Sequence, residues 1–194
     1  KKIRFVAIGG DGGTYDIGLQ ALSGAMERGH QMVYVCCDNG AYMNTGIQRS
    51  SSTPTGAWTT TTPVGKNSAG KTGLRKDLPA IMADHNIPYV AQASIGYWND
   101  FVTKVQKAFA ADGPSFINIL SPCRLGWGFP PEETMEVARQ AVACRMWPLF
   151  EVVDGVWKIT YQPKEVTSPI EWMKKQSRFR HVFQPGNEWM LKAV

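Results

Sequence analysis

Nothing in this chain is both long and apolar. No hydrophobic run approaches the ~20 residues needed to cross a bilayer, which removes a helical membrane span from consideration. Charge is sparse too. Charged residues make up 19% of the 194 positions against 43% hydrophobic, a balance that excludes a charged, disordered chain and fits one globular core. The four cysteines include no C-x-x-C pair, so no self-contained metal site is expected. Cys36 and Cys37 are neighbours on one strand and point to opposite faces, which argues against a disulfide between them. No secretion signal and no initiator Met are visible. The expectation is a cytoplasmic, reduced protein whose amino-terminal part has been removed or omitted. The net charge is +5, with a late basic cluster at Lys174, Lys175, Arg178 and Arg180. That cluster reads as a solvated face, or as a surface that steers an acidic redox carrier. No basic-aromatic motif of a nucleic-acid-binding module occurs, and no nucleic acid partner is expected.

What the chain does contain is an alternation of apolar strands and helices. The pattern predicts strands over 3–8, 32–37, 89–93 and 115–120, with helices over 16–28, 78–85, 100–111 and 132–145. Strand–helix–strand units of this kind predict right-handed crossovers and an α/β fold with a mainly parallel sheet and helices on both faces. Asp154-Gly155 between two apolar segments, 150–153 and 156–161, predicts a hairpin. A short helix is expected over 169–175, then a tail broken by Pro and Gly. The segment 39–76 is dense in Ser, Thr, Gly and Pro and reads as a long ordered loop, because Trp58 within it needs packing partners. No internal repeat and no clean domain boundary is visible.

Two strand ends carry the chemistry. The first strand breaks into Gly9-Gly10-Asp11-Gly12-Gly13 and the second into Asp38-Asn39-Gly40. Open α/β sheets bind ligands at the carboxyl ends of their strands. A carboxylate and an amide on that rim, with the Ala41 carbonyl close by, suit Mg²⁺, which takes oxygen ligands and shares them with phosphates. Glycines at 10, 12 and 13 let backbone N–H groups face a diphosphate near a helix start. The plainer reading is a glycine-rich turn with Asp11 capping the helix. A dinucleotide fingerprint fits only its first half, because Tyr15 stands where its last glycine belongs.

Tyr42-Met43-Asn44-Thr45-Gly46-Ile47-Gln48 follows directly and runs on into Ser50-Ser51-Ser52-Thr53-Pro54. From Gly9 to Ala57 the chain resembles the thiamine-diphosphate-binding beta subunit of 2-oxoacid:ferredoxin oxidoreductases, of the pyruvate synthase and oxalate oxidoreductase type. The likeness continues through 59–66, Lys76-Asp77-Leu78, Gly113-Pro114-Ser115-Phe116, Ser121-Pro122-Cys123 and Trp147-Pro148-Leu149-Phe150, and covers residues 3–153. The resemblance implies a thiamine-diphosphate/Mg²⁺-binding domain over 1–153 and a C-terminal hairpin and tail over 154–194, packed on the same core or on a partner. It implies Asp11, Asn39 and the carbonyl of Ala41 as Mg²⁺ ligands. Gly10, Gly12, Gly13 and Thr45 are implied as diphosphate contacts, and Asn44 as the catalytic residue near the thiazolium ring. Cys123 is implied as one ligand of a 4Fe–4S cluster whose other three ligands belong to an amino-terminal segment absent here. Cys36, Cys37 and Cys144 read as core thiols. His30, His85 and His181 are not expected to be catalytic.

The function so implied is oxidative decarboxylation of a 2-oxoacid, pyruvate or a related acid, with electrons passed through 4Fe–4S clusters to ferredoxin and, for pyruvate, transfer of the acyl group to coenzyme A. The implied partners are a pyrimidine-binding alpha-type subunit, which supplies the activating glutamate, and a ferredoxin-like subunit. Gly40 and Arg124 depart from residues common in relatives, and both changes make the neighbourhood more positive. That favours a more anionic substrate, oxalate being the obvious one. The alternatives are a non-redox thiamine-diphosphate decarboxylase or carboligase, and a noncatalytic nucleotide-binding module.

Overall fold

The computed structural model describes residues 3–193. Its strands are β1 (Phe5–Gly10), β2 (Met32–Asp38), the two-residue pair β3 (Val64–Gly65) and β4 (Ser68–Ala69), β5 (Tyr89–Ser94), β6 (Ser115–Leu120), β7 (Leu149–Val153) and β8 (Val156–Tyr161). Its helices are α1 (Leu19–Glu27), α2 (Leu78–Ala83), α3 (Trp98–Ala110), α4 (Arg124–Trp127), α5 (Thr134–Ala143), α6 (Pro169–Lys174) and α7 (Glu188–Ala193). The main sheet has six strands in the order β1-β2-β6-β5-β7-β8. β1, β2, β6 and β5 run parallel, while β7 and β8 are antiparallel additions. Every residue of β5 and β6 is buried, as expected of central strands covered on both faces. β1 and β8 are the edge strands, and Phe5 and Ile8 on β1 are exposed. No helix among the described residues is long and apolar enough to cross a membrane.

The expected helix over 16–28 begins late. Residues 12–17 form a π turn instead, closed by the Gly18 N–H donating to the Gly13 carbonyl at 2.8 Å. A Cβ on Gly18 would lie 2.3 Å from that oxygen, so only glycine fits there. The hairpin between β7 and β8 turns through Asp154 (φ 48°) and Gly155 (φ 80°), both left-handed, as a two-residue turn demands. α5 is preceded by a 3₁₀ turn over Pro131–Glu133 and stops before Arg145 (φ 61°), shorter than the expected 132–145.

The tail holds more structure than its Pro and Gly suggest. After α6 a 3₁₀ helix covers Ser177–Phe183, then α7 follows. Trp172, Met173, Phe179, Val182 and Met190 join Trp127, Val137, Trp147 and Leu149 in one buried cluster. The late basic cluster is not a uniform solvated face. Lys174 and Arg180 are exposed, but Arg178 is only 4% exposed, because its guanidinium stacks on the Trp127 ring at 3.7 Å.

Candidate functional site

β1 and β2 are parallel neighbours with Gly10 opposite Cys37, so Asp11 and Asn39 stand side by side on one rim of the sheet. Asp11 is fully buried, and its side chain does not cap the turn that follows it. Its Oδ1 accepts the Asn39 backbone N–H at 3.1 Å and its Oδ2 accepts the Ser50 hydroxyl at 2.5 Å. Burial, and then the neighbouring Asp38, push the Asp11 carboxyl up to about 7, against the pull of those two donors.

The Asn39 amide lies beside it. One terminal atom of that amide is 3.0 Å from Asp11 Oδ1 and 2.8 Å from the Ala41 carbonyl oxygen. With nitrogen there, the amide donates to both. Turned over, it places a third oxygen against the other two. Octahedral ligands about 2.1 Å from Mg²⁺ are about 3.0 Å apart, so these separations match the edges of such a shell. Among the described residues no group of three His, Cys, Asp or Glu could hold a metal. Cation chemistry here depends on an amide and a backbone carbonyl beside one carboxylate.

The serine run supplies the surrounding donors. Ser50 Oγ donates to Asp11, Ser51 Oγ to Asp16, and Ser52 Oγ to Asp38 at 2.6 Å, so consecutive serines each satisfy a different carboxylate. Asp38 also accepts from Arg75 Nη2 at 2.8 Å. Arg75 and Asn118 both donate to the Tyr15 hydroxyl, at 2.9 and 2.7 Å. The loop carrying the serines is held by Lys71, 3% exposed, whose Nζ donates to the carbonyls of Ser51, Thr53 and Leu74.

The glycines differ in role. Cβ atoms on Gly10 and Gly13 would meet nothing within 4 Å, leaving open backbone at the turn. A Cβ on Gly12 would lie 2.5 Å from the Tyr42 ring, and Tyr42 donates to the Gly12 carbonyl at 2.8 Å. Packing against Tyr42 therefore explains Gly12. Tyr42 and Gln48 pair across a tight loop, and Asn44, Thr45 and Gly46 form its exposed tip. Thr45 Oγ1 donates to Gln48 Oε1 at 2.6 Å.

Cys123 is half-buried at the start of α4 and packs against the core cluster that holds Cys144. Cys36 and Cys144 are buried and burial raises both; Cys37 is half-buried and also raised by burial. Arg124, expected to add positive charge near the site, is exposed on α4. His85 bridges Ser23 and the Ile81 carbonyl, at 2.7 Å each, and His181 contacts the Ala69 carbonyl at 3.2 Å; both are structural ties.

Sequence reasoning missed Asp38, Trp127 and Arg178. Trp127 Nε1 donates to the Asn39 carbonyl at 2.6 Å and so fastens α4 to the rim. A cleft of about 400 Å³ lies behind the rim, lined by Asp38, Gly40, Arg75, Trp127, Trp147 and Arg178. Asp38 was legible as a carboxylate at a strand end; Trp127 and Arg178 reach the site only through tertiary packing.

Residues 1–119 match the model of the thiamine pyrophosphate enzyme C-terminal TPP-binding domain. The chain is 56% identical over 194 residues to pyruvate synthase subunit PorB of Methanocaldococcus jannaschii, covering 100% of this chain and 65% of that protein. It is 50% identical to the PorB of Pyrococcus furiosus, over 95% of this chain and 61% of the relative. It is also 50% identical to ketoisovalerate oxidoreductase subunit VorB of Pyrococcus horikoshii, over 99% of this chain and 62% of the relative. The chain thus spans less than two thirds of the length of these relatives. Among solved structures, 2-oxoglutarate:ferredoxin oxidoreductase from Magnetococcus marinus matches with a TM-score of 0.56 at 21% identity, over 96% of this chain and 67% of that one, a likeness of fold.

Proposed function

This chain belongs to the thiamine pyrophosphate enzymes, and we propose that it is the cofactor-holding part of the beta subunit of a 2-oxoacid:ferredoxin oxidoreductase. The observation that carries the reading is the convergence of Asp11 Oδ1, the Asn39 amide and the Ala41 carbonyl at 2.8–3.0 Å, beside open backbone at Gly10 and Gly13. Asp11, Asn39 and the Ala41 carbonyl would hold Mg²⁺, and the open turn at Gly10 and Gly13 would receive the diphosphate. Bound thiamine diphosphate supplies the electron sink for decarboxylation. Ser50 keeps the Asp11 carboxylate oriented, and Trp127 fixes the Asn39 backbone. Asn44 and Thr45 are exposed at their loop tip, where they would meet a cofactor held between this chain and a partner. A pyrimidine-binding alpha-type subunit is the partner that fits, and it brings the activating glutamate.

Cys123 contributes one thiolate to a 4Fe–4S cluster. Among the described residues no group of three His, Cys, Asp or Glu could hold a metal, so the remaining ligands would come from outside this chain. Such a cluster would supply one-electron transfer toward a ferredoxin-like subunit and ferredoxin. Pyruvate is the first substrate to test, because relatives at 50–56% identity are named for pyruvate synthase. Ketoisovalerate and oxalate are the competing acids, and coenzyme A is the acyl acceptor for pyruvate. A cytoplasmic location accords with free, reduced cysteines.

The test is titration of the assembled complex with thiamine diphosphate and Mg²⁺. Asp11→Asn, close in shape and free of buried charge, should fold and lose tight Mg²⁺-dependent binding. Undiminished binding by that variant, or preference for a nucleotide over thiamine diphosphate, overturns the reading. Iron analysis separates the redox enzyme from a non-redox decarboxylase, and turnover of pyruvate, ketoisovalerate and oxalate assigns the acid.

A further inference from the structure

Two guanidiniums line the cleft of about 400 Å³ behind the rim, and each stacks on an indole of the same lining. Arg75 lies 4.2 Å from the Trp147 ring and Arg178 lies 3.7 Å from the Trp127 ring. Only the first is completed by an anion. Arg75 Nη2 pairs with Asp38 at 2.8 Å, and Asp38 is the one carboxylate of the cleft wall. Ser52 Oγ donates to the same carboxylate at 2.6 Å, so Asp38 is already engaged.

Arg178 lacks such a partner. It is 4% exposed, its Nε donates to Gln176 Oε1 at 2.9 Å, and its buried Nη2 has no hydrogen-bond partner. The guanidinium reaches the cleft wall at Gly40, where a Cβ would stand 3.1 Å from Nη1. With Trp127 stacked on it, an anion meets it at its edge and in its plane, as a carboxylate does. A buried cation in this state is costly until an anion completes it.

The rest of the lining sets the ligand. One carboxylate against two guanidiniums leaves a single unbalanced positive charge, and no other lining residue is charged. Trp127, Trp147 and Trp172, with Leu120 and Met146, make the walls apolar. The volume lies in the range of small-molecule sites. A phosphate or a dicarboxylate would bring charge that nothing in the cleft meets, and an uncharged molecule would leave Arg178 unpaired. We propose that the cleft binds a small organic monocarboxylate with an apolar body, whose carboxylate completes Arg178 as Asp38 completes Arg75. Asp11, Asn39 and Ala41 do not line the cleft, so the proposal stands without the cofactor reading. Leu74, 87% exposed, stands at the mouth.

The experiment is calorimetric titration of the assembled complex, free of thiamine diphosphate, with phenylacetate and with isovalerate. Both should bind, and both should raise the melting temperature. Arg178→Gln should weaken binding at least about tenfold, the worth of a hydrogen bond to a charged group. Arg178→Lys keeps the charge without the planar fork and should lie between. Phenylacetamide, the same body without the charge, should also bind at least about tenfold more weakly than phenylacetate. Leu74 supplies a readout independent of folding, because its side chain is in solvent. Leu74→Glu should weaken phenylacetate binding and Leu74→Lys should not, with the gap closing at high salt. Unchanged affinity in Arg178→Gln, equal affinity for phenylacetamide, or equal affinities in the two Leu74 variants overturns the proposal. So does the absence of binding, which leaves water to complete Arg178. Ketoisovalerate should compete with phenylacetate no better than isovalerate does. Competition by the oxoacid alone would mean that the cleft reads a 2-oxo group, and the monocarboxylate site fails.

Discussion

Trp127 Nε1 donates to the backbone carbonyl of Asn39 across 88 residues of sequence, at 2.6 Å. One side chain thereby links the turn that follows Cys123 to the loop that presents the Asn39 amide. The two halves of the proposed site, cation and electron exit, are mechanically one piece.

Trp127→Phe tests that link. The substitution keeps an aromatic ring for Arg178 and Trp172 to pack on but strands the Asn39 carbonyl. Leaving a fully buried carbonyl unpaired costs about 1–3 kcal/mol, and this part-buried one should cost toward the lower end. The melting temperature should fall accordingly, and Mg²⁺-dependent cofactor binding should weaken, because Asn39 loses its fixed backbone. A variant that melts lower yet binds the cofactor normally would mean that Trp127 serves only the core.

Ser50→Ala removes the hydroxyl that bonds Asp11 Oδ2 at 2.5 Å. Hydrogen bonds to charged groups contribute about 1.5–3 kcal/mol, so the ionised form of Asp11 is disfavoured by at least about tenfold. Mg²⁺ affinity at neutral pH should drop by a similar factor and recover at higher pH. Ser51→Ala, which affects Asp16 instead, should leave that affinity nearly unchanged. Isothermal titration of both variants against pH reads the difference.

The strand ends bearing Asp11 and Asn39 were legible because apolar runs breaking into Gly-Asp-Gly and Asp-Asn-Gly have few other readings in an α/β chain. The parallel sheet and the Asp154-Gly155 hairpin followed from periodicity and local turn chemistry in the same way. The π turn over 12–17 was not legible: it depends on the close approach of Gly18 to Gly13, and glycine spacing alone does not distinguish that turn from a regular helix start. Nor was the burial of Arg178, which sits in a run of basic residues that reads as solvated. Stacking on Trp127, 51 residues earlier in the chain, is what withdraws it from water. The serine run read as loop composition and as part of the resemblance, with no partner assigned to any of its hydroxyls. Its consecutive hydroxyls acquire their separate carboxylate partners through the fold.

Proton and cation compete at Asp11. Its metal-free carboxyl titrates at about 7, against 3.8 for an ordinary aspartate, chiefly because it is buried. Below pH 7 apparent Mg²⁺ affinity should therefore fall about tenfold per pH unit. Metal-free stability runs the opposite way. A carboxyl raised on folding favours the folded state while protonated, so the metal-free protein should lose stability as pH rises from about 4 through 7. Mg²⁺ with thiamine diphosphate should abolish that loss. Urea denaturation across this range, with and without the pair of ligands, measures both; a flat metal-free profile would remove Asp11 as the titrating group.

Lys71 offers the sharpest separation of loop order from fold stability. Its ammonium reaches three carbonyls, those of Ser51, Thr53 and Leu74, while its backbone pairs with Gly56 and Ala57. Lys71→Met preserves the aliphatic stem and the backbone pairing, and it removes a buried charge, so the sheet has no reason to unfold. The carbonyls it abandons belong to the loop that delivers Ser50 to Asp11 and Ser52 to Asp38. That loop should loosen locally, since segments held by few buried contacts open below the global unfolding free energy. Hydrogen exchange should therefore quicken over residues 50–57 with little change in β5 and β6. Cofactor affinity should fall by about the factor seen for Ser50→Ala, because both changes remove the same donor from Asp11. If exchange instead quickens throughout the sheet, Lys71 supports the core itself and the loop has no separate stability to lose.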